Sequence, residues 1–195
     1  MNSESRQSKR ELTHGRILDA AARAVRRHGY AGVGVAEVMK EAGLTHGGFY
    51  AHFKSRDALI AAALDHAGAA SAQSLARRLE LGREAGISPL RALVEGYLSE
   101  AHVAAVDRGC PVAALGSEMG RQQEDVLAAS RRRVLGLVGI VRQALPPNAP
   151  AAQAQVIAST LVGTLQLARA LGDGAGELLT SSREALLAQY DKPPA

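Results

Sequence analysis

A chain of 195 residues with 47% apolar side chains holds material for one large domain or two small ones. Aromatic residues make up only 3% and Trp is absent, while Ala and Leu dominate; this disfavours sheet and predicts an all-α fold. The formal net charge of +4 sits in the first third: residues 1–57 hold 10 Lys/Arg against 6 Asp/Glu, and residues 58–195 hold 13 of each, as in a polyanion-binding module joined to a neutral one.

Residues 1–12 are polar and charged, and read as a flexible basic arm carrying Arg6, Lys9 and Arg10. From Thr13, a candidate N-cap, Ile17, Leu18, Ala21, Ala22 and Val25 recur at helical spacing, with Arg16, Arg23, Arg26 and Arg27 largely elsewhere around the wheel; Gly29 is the stop. A second helix carries Val35, Val38, Met39 and Ala42 and ends at Gly43. Thr45 then stands at the N-cap of "HGGFYAHF", and Ser55 caps a longer helix with Asp57 in its first turn. Two short helices around a Gly-bearing turn, framed by longer ones, predict a helix-turn-helix over about residues 34–53 within a DNA-binding domain at 13–72.

Residues 73–195 read as a second, wholly helical unit. Ser88 and Pro89 form an N-cap and N1 pair opening a helix through Leu90, Leu93, Val94, Tyr97, Leu98 and Ala101. "GCPVAALGSEMG" is a short interrupted helix, and Val134, Leu137, Val138, Val141 and Leu145 mark the inner face of a long one. "PPNAP" (146–150) is a break. The helix after it is apolar on nearly every side, which a two-fold dimer interface explains economically and a central buried helix in a monomer explains otherwise. Leu178, Leu179, Leu186 and Leu187 mark a last helix, with Ser181 or Ser182 as a candidate interruption.

The segment from Ile17 to Leu64 resembles the DNA-binding domain of the TetR/AcrR family of bacterial transcriptional repressors. The matching features are the Ile-Leu-x-Ala-Ala opening, His28-Gly29-Tyr30 after the first helix, Ala42-Gly43-Leu44-Thr45 at the turn, Gly47-x-Phe49-Tyr50-x-His52-Phe53 after it, and the small-basic-acidic entry Ser55-Arg56-Asp57. The resemblance implies an Ω-shaped homodimer of about nine helices per chain. It implies a palindromic double-stranded DNA operator, a C-terminal effector pocket, and a dimer interface on the last two helices. Thr45 can donate to phosphate and His46 reaches outward toward a base edge or phosphate, and Lys9 and Arg10 of the basic arm are further candidates. By the resemblance Tyr50, His52 and Lys54 follow as backbone contacts, the alternatives being a packed core aromatic for Tyr50 and a solvated histidine for His52. Gly34 stands where many relatives carry Thr or Ser, weakening one expected cap and phosphate contact, and Arg56 replaces a common Lys.

Each glycine in a helix costs about 1 kcal/mol relative to alanine, so the duplet Gly47-Gly48 wants a reason. One is that removing side chains here lets the backbone approach phosphates or base edges. Phe49 and Phe53, by contrast, read as packing residues.

Cys110 is the only cysteine, which excludes an internal disulfide framework. One reading is a small buried hydrophobe. The other places it at the N-cap before Pro111 with Arg108 nearby, where thiolate is favoured, and this segment is similar to the N-ethylmaleimide-sensing repressor branch of the family. Tyr97, His102 and Met119 are further candidates for the pocket by location, with a small-molecule effector or electrophile as the ligand. No metal site, cofactor or catalytic motif is expected: His46 and His52 do not share a helix face, and "LGDGAG" (171–176) follows a helix rather than a strand. The absence of a signal-like or membrane-length apolar run makes a cytoplasmic location the expectation. The competing functional class is a helical scaffold without DNA affinity, which has no use for the basic first third.

Overall fold

The computed structural model describes residues 2–191, and side chains from Lys9 onward. The described residues form nine α-helices and two short 3₁₀ segments, with no strand. Helix α1 spans Asn2–His28, α2 Val35–Glu41, a 3₁₀ turn His46–Ala51, and α3 Arg56–Glu84. There follow α4 (Pro89–Tyr97), α5 (Glu100–Ala104), α6 (Pro111–Met119), α7 (Glu124–Ala144), α8 (Ala151–Leu171) and α9 (Ala175–Tyr190).

Several boundaries differ from the sequence reading for identifiable reasons. The expected arm is part of α1: residues 2–12 contain Glu, Arg, Gln and Lys but no Gly or Pro, so nothing in them stops a helix. Thr13 does not cap; its hydroxyl donates to the Lys9 carbonyl at 2.8 Å, a bond made inside a helix. The side chain of Arg6 lies outside the described ones. The proposed boundary at residues 72–73 falls inside α3, a helix of 29 residues shared by both units. The helix expected to run on to Ala101 is broken instead at Leu98, because Ser99 caps α5 by accepting from the His102 amide at 3.2 Å. Helix α9 passes through Ser181 and Ser182 without interruption, and Val134 on α7 faces solvent.

Two caps expected from the sequence do form. Ser55 Oγ accepts from the Ala58 amide and Ser88 Oγ from the Arg91 amide, both at 3.1 Å. Gly29 and Gly43 end their turns at φ of 71° and 69°, where a Cβ would be strained.

At its N-terminal end the core closes on Ile17, Met39, Leu59, Ile60 and Leu64, with Phe49 and Phe53 inserted from the 3₁₀ turn and the residues just after it. Burying each such side chain is worth about 1.5–3 kcal/mol, so this short, glycine-containing segment is anchored by its two aromatics rather than by helix propensity. Helix α3 packs on α1 at one end and on α7 along its length, and α8 packs on α7 and α9. The same core continues through Leu93, Leu98, Leu115, Ile157, Leu161, Leu165 and Leu179 among the later helices.

Candidate DNA-binding surface and ligand cavity

The 3₁₀ turn is amphipathic over six residues. Phe49 and Phe53 face inward, 5.9 Å apart between ring centroids, while Tyr50 is 72% exposed and held edge-on to Phe49 at 5.1 Å. Thr45, His46, Gly47 and Lys54 are exposed beside it. This segment is not the α-helix the sequence suggested. Its turn closes through Gly48 N–H to the Thr45 carbonyl at 3.1 Å, and the Thr45 side chain makes no capping bond. Two glycines in six residues leave too little propensity to nucleate a regular helix.

Neither glycine is required by the chain itself. Both have ordinary negative φ; a Cβ on Gly47 would meet nothing within 4 Å, and one on Gly48 would make only normal contact with Met39 Cε at 3.6 Å. Gly34 is the N-cap of α2, half-buried under the Glu37 carboxylate. His52 is half-buried and turned toward α1, with Nδ1 unpartnered and its ring 5.7 Å from His14.

The turn is fixed from α1 and α3. Arg10, exposed like Lys9, donates to the Ala51 carbonyl at 3.1 Å, and Arg16 donates to the Ala42 carbonyl. Arg23 pairs with Glu41 at 2.9 Å. His14 stacks on Phe53 at 4.7 Å; burial, then the nearby His52, Arg10 and His66, lower its pKa. Arg56, which stands in place of a common Lys, donates to the carbonyls of Tyr30 and Val33 and so locks the loop between α1 and α2.

A cavity of about 310 Å³ opens in the second unit between α3, α4, α5 and α7, and Tyr97, His102 and Cys110 all line it. Met119 does not; it is buried in the core of α6. Cys110 is the N-cap of α6 with Pro111 at N1, and it is half-buried. Its amide donates to His102 Nε2 at 3.0 Å, while His102 Nδ1 lies 2.7 Å from the Tyr97 carbonyl and donates to it. Both ring nitrogens are thereby committed to one neutral tautomer. Burial lowers the His102 pKa, the bond to Tyr97 opposes this, and Arg169 and Arg78 add to the lowering. Gly109 permits this packing, since a Cβ there would lie 2.7 Å from the Ala105 carbonyl oxygen and 2.8 Å from the His102 ring.

Tyr97 is 7% exposed and its hydroxyl has no hydrogen-bond partner. Burial pushes this phenol's pKa well up, and the adjacent Cys110 adds to the rise.

Polar contacts join the two units beside the cavity. Arg26, expected on the solvent side of α1, is only 9% exposed; it donates to the Ala22 carbonyl at 2.9 Å and the Gly109 carbonyl at 3.1 Å. Arg27 pairs with Asp107 at 2.7 Å, the Tyr30 amide donates to Glu118 at 3.2 Å, and the Tyr30 and Ser130 hydroxyls bond at 3.0 Å. The sequence carried no local sign of these links because each joins residues at least 80 positions apart.

Among the described residues the chain is all-helical, and a short helix, a glycine turn and an outward-facing aromatic-basic segment have the arrangement of a helix-turn-helix. Residues 17–63 match the family of bacterial regulatory proteins described as the tetR family. Over 169 residues the chain is 27% identical to an uncharacterized HTH-type transcriptional regulator of Mycobacterium tuberculosis strain H37Rv, covering 81% of this chain and 84% of that one. Over 119 residues it is 28% identical to the HTH-type transcriptional repressor NemR of Escherichia coli K12, covering 61% and 60%. The crystal structure of reduced E. coli NemR superposes with a TM-score of 0.77 at 22% identity, over 94% of this chain and 99% of that one. A TetR regulator from Chloroflexus aurantiacus superposes at 0.75, also at 22% identity, over 94% and 98%. Residues 17–63 thus carry the tetR-family DNA-binding domain, and the chain as a whole shares the fold of solved TetR-family regulators.

Proposed function

We propose that this regulator is a homodimeric repressor that reads a palindromic operator with its 3₁₀ turn and releases it when the cavity at Cys110 is occupied or Cys110 is modified. The observation that carries the reading is the turn itself: Phe49 and Phe53 anchor it, leaving His46, Gly47, Tyr50 and Lys54 exposed. Missing side chains at Gly47 and Gly48 answer no need inside the chain, which supports close approach by an outside partner. Similarity to a repressor supports repression over activation.

Dimerisation through the last two helices is supported on α8 by an uncovered apolar stripe. Val156, Leu167 and Leu171 are half or more exposed on α8, with Thr160 and Gly163 between them. Such a stripe is covered economically by its own two-fold copy.

Release follows from linkage between the cavity and α1. A ligand or adduct at Cys110 displaces the 105–110 loop, which holds Arg26 through Gly109 and Arg27 through Asp107. Tilting α1 changes the separation of the two turns from the roughly 34–36 Å that successive major grooves require. A coupling of about 1–3 kcal/mol is sufficient. The test is duplex binding before and after complete modification of Cys110 by N-ethylmaleimide. A loss of affinity in wild type and none in C110S is expected, and unchanged affinity of the fully modified protein refutes the Cys110 route.

A further inference from the structure

The same cavity carries a chemical preference in its lining. Its apolar wall comes from Leu75, Leu137 and Ile140, so a ligand's body is hydrocarbon. Its polar groups are one-sided: the charged side chains in the lining are Arg78 and Arg108, and no Asp or Glu is among them. Arg108 is partly answered by Asp107 at 3.7 Å, a carboxylate already engaged more closely by Arg27. Among the described residues Arg78 has neither an ion pair nor a hydrogen bond, and it lies flat over α4. A Cβ on Gly96 would fall 2.2 Å from its Cδ and 2.4 Å from its Nε. Glycine at 96 is thus what lets the guanidinium reach the cavity wall.

The second observation is independent of charge. The Tyr97 hydroxyl is buried in the lining beside the Cys110 thiol, a weak partner, and makes no hydrogen bond to any nitrogen or oxygen. An orphaned buried donor destabilises an empty site, and the loss is recovered when an acceptor arrives. His102 cannot be that acceptor, because its two nitrogens are spent on Cys110 and Tyr97 backbone groups.

Resting on the assignment of this cavity as the effector site, we propose that it selects a small organic acid, an apolar body bearing a carboxylate, whose oxygens meet the Arg78 guanidinium and accept from the Tyr97 hydroxyl. Binding is reversible and requires no bond to the Cys110 sulfur. The volume of about 310 Å³ suits an acid of single-ring size.

Benzoate and its neutral isostere benzamide are the probes, titrated into the full chain and followed by calorimetry. Benzoate is expected to bind at least about tenfold more tightly than benzamide in wild type. The difference is expected to vanish in R78Q, which keeps a polar side chain at an exposed position, and Y97F is expected to weaken benzoate severalfold. Equal binding of the two probes to wild type, or benzoate binding unchanged in R78Q, overturns acid selection while leaving the cavity as the effector site. If neither probe binds, acid selection fails; N-ethylmaleimide then separates the readings, since loss of duplex affinity keeps the cavity's regulatory role and unchanged affinity removes it as well.

Discussion

The buried guanidinium of Arg26 donates to the carbonyl of Gly109 at 3.1 Å, one residue before Cys110, and this bond ties helix α1 of the first unit to the cavity wall of the second. Burial lowers the pKa of this guanidinium, and Asp107 and Cys110 oppose the lowering. Replacing Arg26 with Met keeps the packed stem and removes the link. The expected outcome is a variant destabilised by about 1–3 kcal/mol, as for a lost bond to a charged group, in which duplex affinity no longer responds to Cys110 modification. Denaturant melts and binding isotherms with and without maleimide check both halves.

The glycine pair gives a second test. Gly47→Leu places its side chain in open space, so the thermal midpoint is expected to stay within a degree or two, on the scale of about 0.5 kcal/mol for a neutral surface change. Duplex affinity is expected to fall at least about tenfold, roughly 1.4 kcal/mol. Normal binding reduces the pair to local turn chemistry.

Acid stability has a definite sign. The folded-state pKa values of His14 and His102 are both lowered, in each case chiefly by burial. The unfolded chain takes up these protons near the ordinary value of about 6.5, before the folded state does. Stability from both sites is therefore fully present above that value and lost as pH falls through the lowered folded pKa. Thermal midpoints are expected to drop as pH falls from neutral through the ordinary histidine range, and the drop is expected to shrink in H14F, which keeps a ring on Phe53 without a titrating nitrogen. An equal drop in that variant contradicts the assignment to His14.

Removing the Tyr97 hydroxyl is expected to stabilise the ligand-free protein by about 1 kcal/mol, since the group is buried with only the weakly bonding Cys110 thiol beside it. A higher thermal midpoint for Y97F checks this, and a lower one means the hydroxyl is satisfied in solution.

On α8, Leu167→Glu adds a charge to the exposed apolar stripe. If α8 joins two copies, sedimentation is expected to show a monomer with unchanged helix content, because the residue is 58% exposed in the single chain. A dimer that persists in this variant puts the interface elsewhere.

Local physics made much of this legible. Phe49 and Phe53 sit four apart with Tyr50 out of phase, so one inward and one outward face could be read from spacing alone. Ser88-Pro89 and Cys110-Pro111 announced their helix starts because capping is a property of adjacent residues. The illegible parts are those set by distant partners. Arg26 looks like a solvated arginine until Gly109 packs over it, and Arg78 reaches the cavity only because Gly96 lies beneath it. Met119 failed as a pocket residue because proximity in sequence to Cys110 says nothing about which side of α6 faces the cavity. Helix α1 overran the expected arm because polar residues with good helix propensity look the same whether or not they are ordered.

The central claim is that the exposed turn at His46–Ala51 reads duplex DNA. Selection of binders from a random duplex library by the full chain, repeated with the Y50A and K54A variants, tests it most directly. The expected result is an enriched inverted repeat with half-sites about one helical turn apart, bound less tightly as salt rises and lost or strongly weakened in both variants. Absence of enrichment and of any duplex binding at low salt contradicts it and favours a helical scaffold with no role on DNA.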